Sequence, residues 1–112
     1  MKKFIVIYRA PKSAVEAMSI RTPEEMKKGM EPWMEWARRC GSALVDLGTP
    51  LGNGMKITKD GAMASDSDVN GYSILQAESM EEAKNMLLGH PHVMWAEGCS
   101  VEVFESLALP GM

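Results

Sequence analysis

The stretch Lys3-Phe4-Ile5-Val6-Ile7-Tyr8-Arg9 is apolar on both of its alternating sets, Phe4, Val6 and Tyr8 on one side and Ile5 and Ile7 on the other. A run of β-branched and aromatic residues patterned this way predicts a central strand that is covered on both faces. The cover has to come from a chain of 112 residues. That length suits one domain able to bury about two thirds of its unfolded surface without disulfide or metal staples. Residues 1–112 are therefore read as a single domain, with 105–112 as its C-terminal tail.

Along the chain, Ala10 to Arg21 lacks clear periodicity and reads as a connection. It is closed by Thr22-Pro23-Glu24-Glu25, in which Thr22 caps, Pro23 occupies the first helical position and Glu25 completes a capping box. The helix that starts there carries Met26, Met30, Trp33, Ala37 and Cys40 along one side, with Met34 beside them, and Gly41 stops it. Pro32 inside the pattern predicts a kink or a late helix start. Ala43 to Gly48 reads as a second strand, Thr49 to Gly54 as a turn and Met55 to Thr58 as a short paired strand. Lys59 to Asn70 is polar and turn-rich and reads as a flexible loop, followed by a strand at Tyr72 to Ala77. Ser79-Met80-Glu81-Glu82 is a second capping box, opening a short helix that Gly89, His90 and Pro91 end. Cys99 to Phe104 is the last strand.

The order is β, α, β with a short extra strand, then β, α, β, which predicts an α+β fold: a ferredoxin-like split βαβ sandwich. Both helices of such a sandwich cover one face of the sheet. The doubly apolar first strand then needs cover on the other face, and a second copy related by a two-fold axis supplies it most simply. An obligate homodimer is the expectation.

Several functions find no support. Basic residues number 12 against 15 acidic ones, for a formal charge of −3, and no basic stripe is available to neutralise phosphates, so no nucleic-acid partner is expected. The apolar runs are far shorter than the ~20 residues a bilayer requires, which argues against a membrane span. Arg9 ends the first apolar run with no cleavage site after it, so a cytoplasmic location is the expectation. Cys40 and Cys99 stand far apart without metal-ligand spacing and read as buried thiols in a reducing compartment. Nucleotide-binding, serine-hydrolase and zinc-protease motifs do not occur, and neither cofactor nor metal is expected.

Trp33-Met34-Glu35-Trp36, Leu44 to Gly52, Gly71-Tyr72-Ser73-Ile74, Gly89-His90-Pro91-His92 and the ending Glu102-Val103-Phe104-Glu105 together resemble the YCII-related family of small dimeric α/β barrel proteins, over nearly the whole chain. The resemblance implies a ferredoxin-like protomer whose dimer encloses a cleft between the sheets. Most members of that family have no assigned activity. Some carry a His-Asp pair proposed as catalytic, and one resembles a dehydrochlorinase of chlorinated aromatic breakdown. Where those relatives place His on the first helix this chain has a position near Met30, and their Asp-Pro is His90-Pro91 here.

The candidate catalytic residues are His90, His92 and Asp46. Imidazole exchanges protons near neutrality, its ordinary pKa being about 6.5. Asp46 interrupts an apolar strand, where a buried carboxyl would have a raised pKa; the competing reading is an Asp that bonds the amides of the Gly48 turn. For His90 the competing role is to cap the end of the second helix. Tyr8, Trp33, Met30 and Glu102 are candidate ligand-binding residues, since aromatic and thioether groups suit flat apolar ligands and Glu102 is a charge set on an apolar strand. A Met and Trp stripe is equally suited to core or dimer contact. The function these residues suggest is cofactor-independent acid–base chemistry on a small cyclic or aromatic molecule in a dimer cleft. The alternative is a non-catalytic dimeric module that binds a small ligand or a protein.

Overall fold

The structure, a computed structural model, describes residues 1–111, so Met112 at the end of the expected tail lies outside the described residues. Four strands form an antiparallel sheet: β1 (Lys2–Arg9), β2 (Leu44–Asp46), β5 (Val69–Ala77) and β6 (Ser100–Glu105), in the order β2-β5-β1-β6. With a helix between β1 and β2 and another between β5 and β6, this is the ferredoxin-like arrangement. β1 is central, pairing Phe4 with Leu75 on one side and Val6 with Val103 on the other. β6 runs through Glu105, one residue into the stretch read as tail.

The helix α2 (Pro23–Cys40) begins at the capping box read from the sequence, Thr22 Oγ1 accepting from the Glu25 amide at 3.2 Å. It runs unbroken through the exposed Pro32, without the late start that residue suggested. α3 (Met80–Leu87) is capped in the same manner by Ser79. Trp36 of α2 and Ala83 and Leu87 of α3 pack on Phe4, Val6, Tyr8, Leu75 and Ala77, which is one alternating set of the sheet. Both helices therefore cover the same face.

Three features depart from the sequence reading. A helix, α1 (Lys12–Ser19), lies within the stretch read as a connection; only Ala14 of it is buried, so its periodic signal is faint. The polar loop contains a strand, β4 (Gly61–Ala64), paired with β3 (Met55–Thr58) in a hairpin whose eight strand residues are all exposed. The third is α4 (Pro91–Trp95), which follows α3 where the chain was expected to leave the helix.

The apolar stripe assigned to α2 is also redistributed. Trp36, outside that stripe, is 1% exposed, whereas Met26, Met30 and Met34 are each more than 40% exposed. The indole explains the difference, because its ring fills the core while Nε1–H donates to the Met86 carbonyl at 2.8 Å.

On the opposite face of the sheet Ile5, Ile7, Tyr72 and Ile74 are half-buried and Phe104 is exposed, with no helix over them. No helix among the described residues is long and apolar enough to cross a membrane.

Candidate functional site

The helix-covered face carries a chain of polar groups through the core. Ser73 Oγ lies 2.6 Å from the Leu47 carbonyl, which can only accept, so the hydroxyl proton goes there. Tyr8 Oη, 2.7 Å from Ser73 Oγ, therefore donates to Ser73. Nδ1 of His90 accepts from the His92 backbone N–H at 2.9 Å, which leaves the ring proton on Nε2 to donate to Tyr8 Oη at 3.3 Å. The result is a directional sequence, His90 to Tyr8 to Ser73 to Leu47, with each donor matched to one acceptor. Ser73 and His90 are fully buried and Tyr8 nearly so. Satisfying buried polar groups is what makes their burial tolerable.

This sequence gives His90 a different role from the one expected. It caps the start of α4 rather than the end of α3, with Pro91 at the first helical position. Its ring is wedged among Trp33, Trp36 and Tyr8, with centroids 4.5, 4.4 and 5.1 Å away. Burial, with smaller contributions from His92 and Arg39, pushes its pKa down to about 3, so the ring stays neutral. Burial likewise pushes the Tyr8 hydroxyl up to about 12, against the opposing hydrogen bond with Ser73.

His92 differs from its neighbour. Nε2 lies 2.7 Å from the Arg9 carbonyl and so carries the proton, leaving Nδ1 as a bare lone pair. Nδ1 has no protein partner among the described residues. The one buried, unpartnered side-chain polar atom there is Asn70 Oδ1, so Nδ1 keeps access to solvent. Burial lowers the His92 pKa and the Arg9 carbonyl opposes that shift.

The His92 ring lines a cavity of about 630 Å³. Trp33, Tyr8 and Trp95 form aromatic walls, the His92 and Trp95 rings being 5.8 Å apart. Met18, Met26, Met30 and Met94 contribute thioethers. The remaining wall is the loop after β2, from Leu47 to Pro50, which is held against β5. Pro50 bridges to Gly71, and Leu51 N–H donates to the Asn70 carbonyl at 3.0 Å. Gly48, at φ +79°, makes the tightest approach: a Cβ there would stand 1.8 Å from the Tyr72 carbonyl oxygen.

Of the residues singled out in the sequence, Tyr8, Trp33, Met30 and His92 line this cavity, and His90 lies directly behind Tyr8 and Trp33. Asp46 does not join them. It pairs with Ile74 on the sheet's open side, where Oδ1 accepts from the Gly48 amide at 2.8 Å and Oδ2 from the Tyr72 hydroxyl at 3.3 Å. This is the turn-bonding alternative weighed for it. Glu102, opposite Ile7, is likewise on the open side and pairs with Arg9, which also meets Asp68 at 2.5 Å. Alternation along a strand sends neighbouring residues to opposite faces, and both carboxylates fall on the set that faces away from the helices. The cavity's lining residues within the chain come mostly from β1, α2, α4 and the loop after β2.

The sequence reading missed Ser73; Trp36, which with Trp33 and Tyr8 suits a pocket wall by residue type, sits in the core and not in the cavity lining. A serine between Tyr72 and Ile74 in an apolar strand was an available signal for Ser73, by the logic applied to Asp46. Cys40 and Cys99 are free and half-buried. No cluster of three or more metal-ligating side chains occurs among the described residues.

No family model matches the chain, and no curated protein matches it. Among solved structures it is similar to a 5-chloro-2-hydroxyhydroquinone dehydrochlorinase from Burkholderia phenoliruptrix, determined in complex with 2,5-dihydroxybenzoquinone. The two share 15% identity over 91% of each chain, with a TM-score of 0.50. That likeness is one of fold, and the fold is α+β.

Proposed function

We propose that the protein performs cofactor-independent acid–base chemistry on a small cyclic or aromatic molecule held in this cavity, with His92 as the base and Nδ1 as the accepting atom. The observation that carries the reading is the His92 ring itself: one nitrogen is fixed by the Arg9 carbonyl while the other is unpartnered, beside aromatic walls. A lowered pKa keeps the imidazole neutral at pH 7, the form a base requires. His90 is a positioning residue in this scheme. Its Nδ1 holds the His92 amide, and its own proton is committed to Tyr8. Asp46 and Glu102 have no part in it. The structural neighbour named for its action on a chlorinated hydroxyhydroquinone supports a ring as the ligand class.

The test is titration of the wild type and His92→Ala with ring-hydroxylated aromatics such as hydroquinone, followed by tryptophan fluorescence from Trp33 and Trp95 and by turnover. The expected outcome is binding in both, with turnover lost in the variant. The absence of binding by the wild type would overturn the reading. Binding without turnover in the wild type would favour the non-catalytic module, which the lack of a converging imidazole and carboxylate also favours. The family resemblance and the uncovered side of the sheet support a homodimer built on Ile5, Ile7, Ile74 and Phe104, forming the barrel by sheet-to-sheet packing.

A further inference from the structure

The cavity wall holds an imbalance of charge that the proposed chemistry does not use. Arg21 and Arg39 both line it, and neither makes an ion pair or a side-chain hydrogen bond among the described residues. Glu35 is the one carboxylate in the wall, and it is engaged by Arg38 at 2.6 Å. Both arginines have carboxylates within sequence reach. Arg21 is followed by Glu24 and Glu25, but Glu25 is occupied by the Thr22 hydroxyl at 3.1 Å, and Arg21 extends along α2 instead. Its Nη1 stands 4.0 Å from where a Cβ on Gly29 would be, so the guanidinium rests over the helix position that has no side chain. Arg39 is four residues from Glu35, which Arg38 has taken. It lies close enough to His90 for its charge to count against protonation of that ring.

Unpaired guanidinium groups on the wall of a largely apolar cavity raise the local potential, because low-dielectric surroundings focus the field. Guanidinium is also the side chain whose fork matches a carboxylate in two parallel hydrogen bonds. We propose that the cavity selects anionic ring compounds, namely aromatic or cyclic carboxylates, and that Arg21 and Arg39 are the residues that make this choice. The inference rests on the proposed function and narrows its ligand class from rings in general to ring acids. Gly29, over which Arg21 rests, and Arg39 are ten helical residues apart, about 15 Å along the axis, and both arginines line the cavity.

The experiment compares 4-hydroxybenzoate with its neutral isostere 4-hydroxybenzamide, titrated against the wild type and against an Arg21→Gln, Arg39→Gln double variant. Far-ultraviolet circular dichroism checks that the variant is folded. Since hydrogen bonds to charged groups contribute about 1.5–3 kcal/mol, the wild type should bind the benzoate about tenfold more tightly or better. The preference should shrink in about 0.5 M salt. In the double variant it should vanish through loss of benzoate affinity, with the benzamide unchanged. Equal binding of the two probes by the wild type, or a preference that survives in the folded double variant, would overturn the inference while leaving the proposed function standing. Binding of neither probe by the wild type would overturn both.

Discussion

The two faces of the four-stranded sheet share every backbone hydrogen bond and almost nothing else. On the helix side, Tyr8, Ser73 and His90 are buried, and each side-chain donor has one assigned acceptor. On the other side, at the surface beside half-buried Ile5, Ile7 and Ile74, Arg9 pairs with Glu102 and Asp68, and Asp46 accepts from the Gly48 amide and the Tyr72 hydroxyl. Polar residues on a strand therefore have two distinct meanings. Where a helix packs over them they determine proton positions, and where nothing does they keep charge solvated around apolar side chains.

The contrast breaks most sharply under truncation. Trp36→Ala removes a fully buried ring and orphans the Met86 carbonyl, and should cost about 3–5 kcal/mol in a urea titration. Phe104→Ala on the open side should leave the unfolding of an isolated protomer nearly unchanged. If the face joins two copies, its effect appears in sedimentation as weakened association.

Acid should act on the helix side through its two buried histidines. A histidine whose folded pKa lies below its unfolded value of about 6.5 binds fewer protons when folded, so stability rises with pH across the interval between the two values. His90, at about 3, and His92, also lowered, should thus contribute fully above pH 6.5 and progressively less as the pH falls toward 3. The expected result is a urea midpoint that drops between pH 6.5 and 4.5, with a shallower drop in His90→Gln. An equal slope in that variant would count against the locked neutral ring.

The smallest effect should come from Glu102→Gln. The Arg9–Glu102 pair is solvent-exposed, and such pairs contribute little. A urea midpoint at pH 7 indistinguishable from that of the wild type is expected; a clear loss would mean that the open face is more buried in solution than in one chain.

Much of the fold is legible locally. The Thr22 box and the Ser79 cap place both main helices, because capping joins residues three apart, and the doubly apolar β1 stands at the centre of the sheet. Only half of the hairpin was legible: Met55–Thr58 reads as a short paired strand, but its partner Gly61-Ala62-Met63-Ala64 contains no β-branched residue, and Asp60-Gly61 marks a turn without naming its strands. The site was legible in part. Tyr8, Trp33, Met30 and the two histidines were recognisable as residue types, but the tautomers that separate His90 from His92 depend on partners between 2 and 83 residues away. Asp46 was misleading for a related reason: its strand is only three residues long, too short for alternation to reveal its face.

Gly48 gives the fold a signature that can be sought in other sequences. The chain passes so near Tyr72 that a side chain at 48 would force the two backbones apart, and the Leu47 carbonyl, terminus of the hydroxyl chain, lies in that crossing. The same crossing shapes one wall of the cavity. A homologous chain with any β-carbon at this point would have to reroute the segment, losing the last acceptor for Ser73 and the shape of the wall together. Glycine here followed by proline two residues on, paired with serine in the facing strand, is then a compact test for which distant sequences retain this interior wiring and which have kept only the outline of the sandwich.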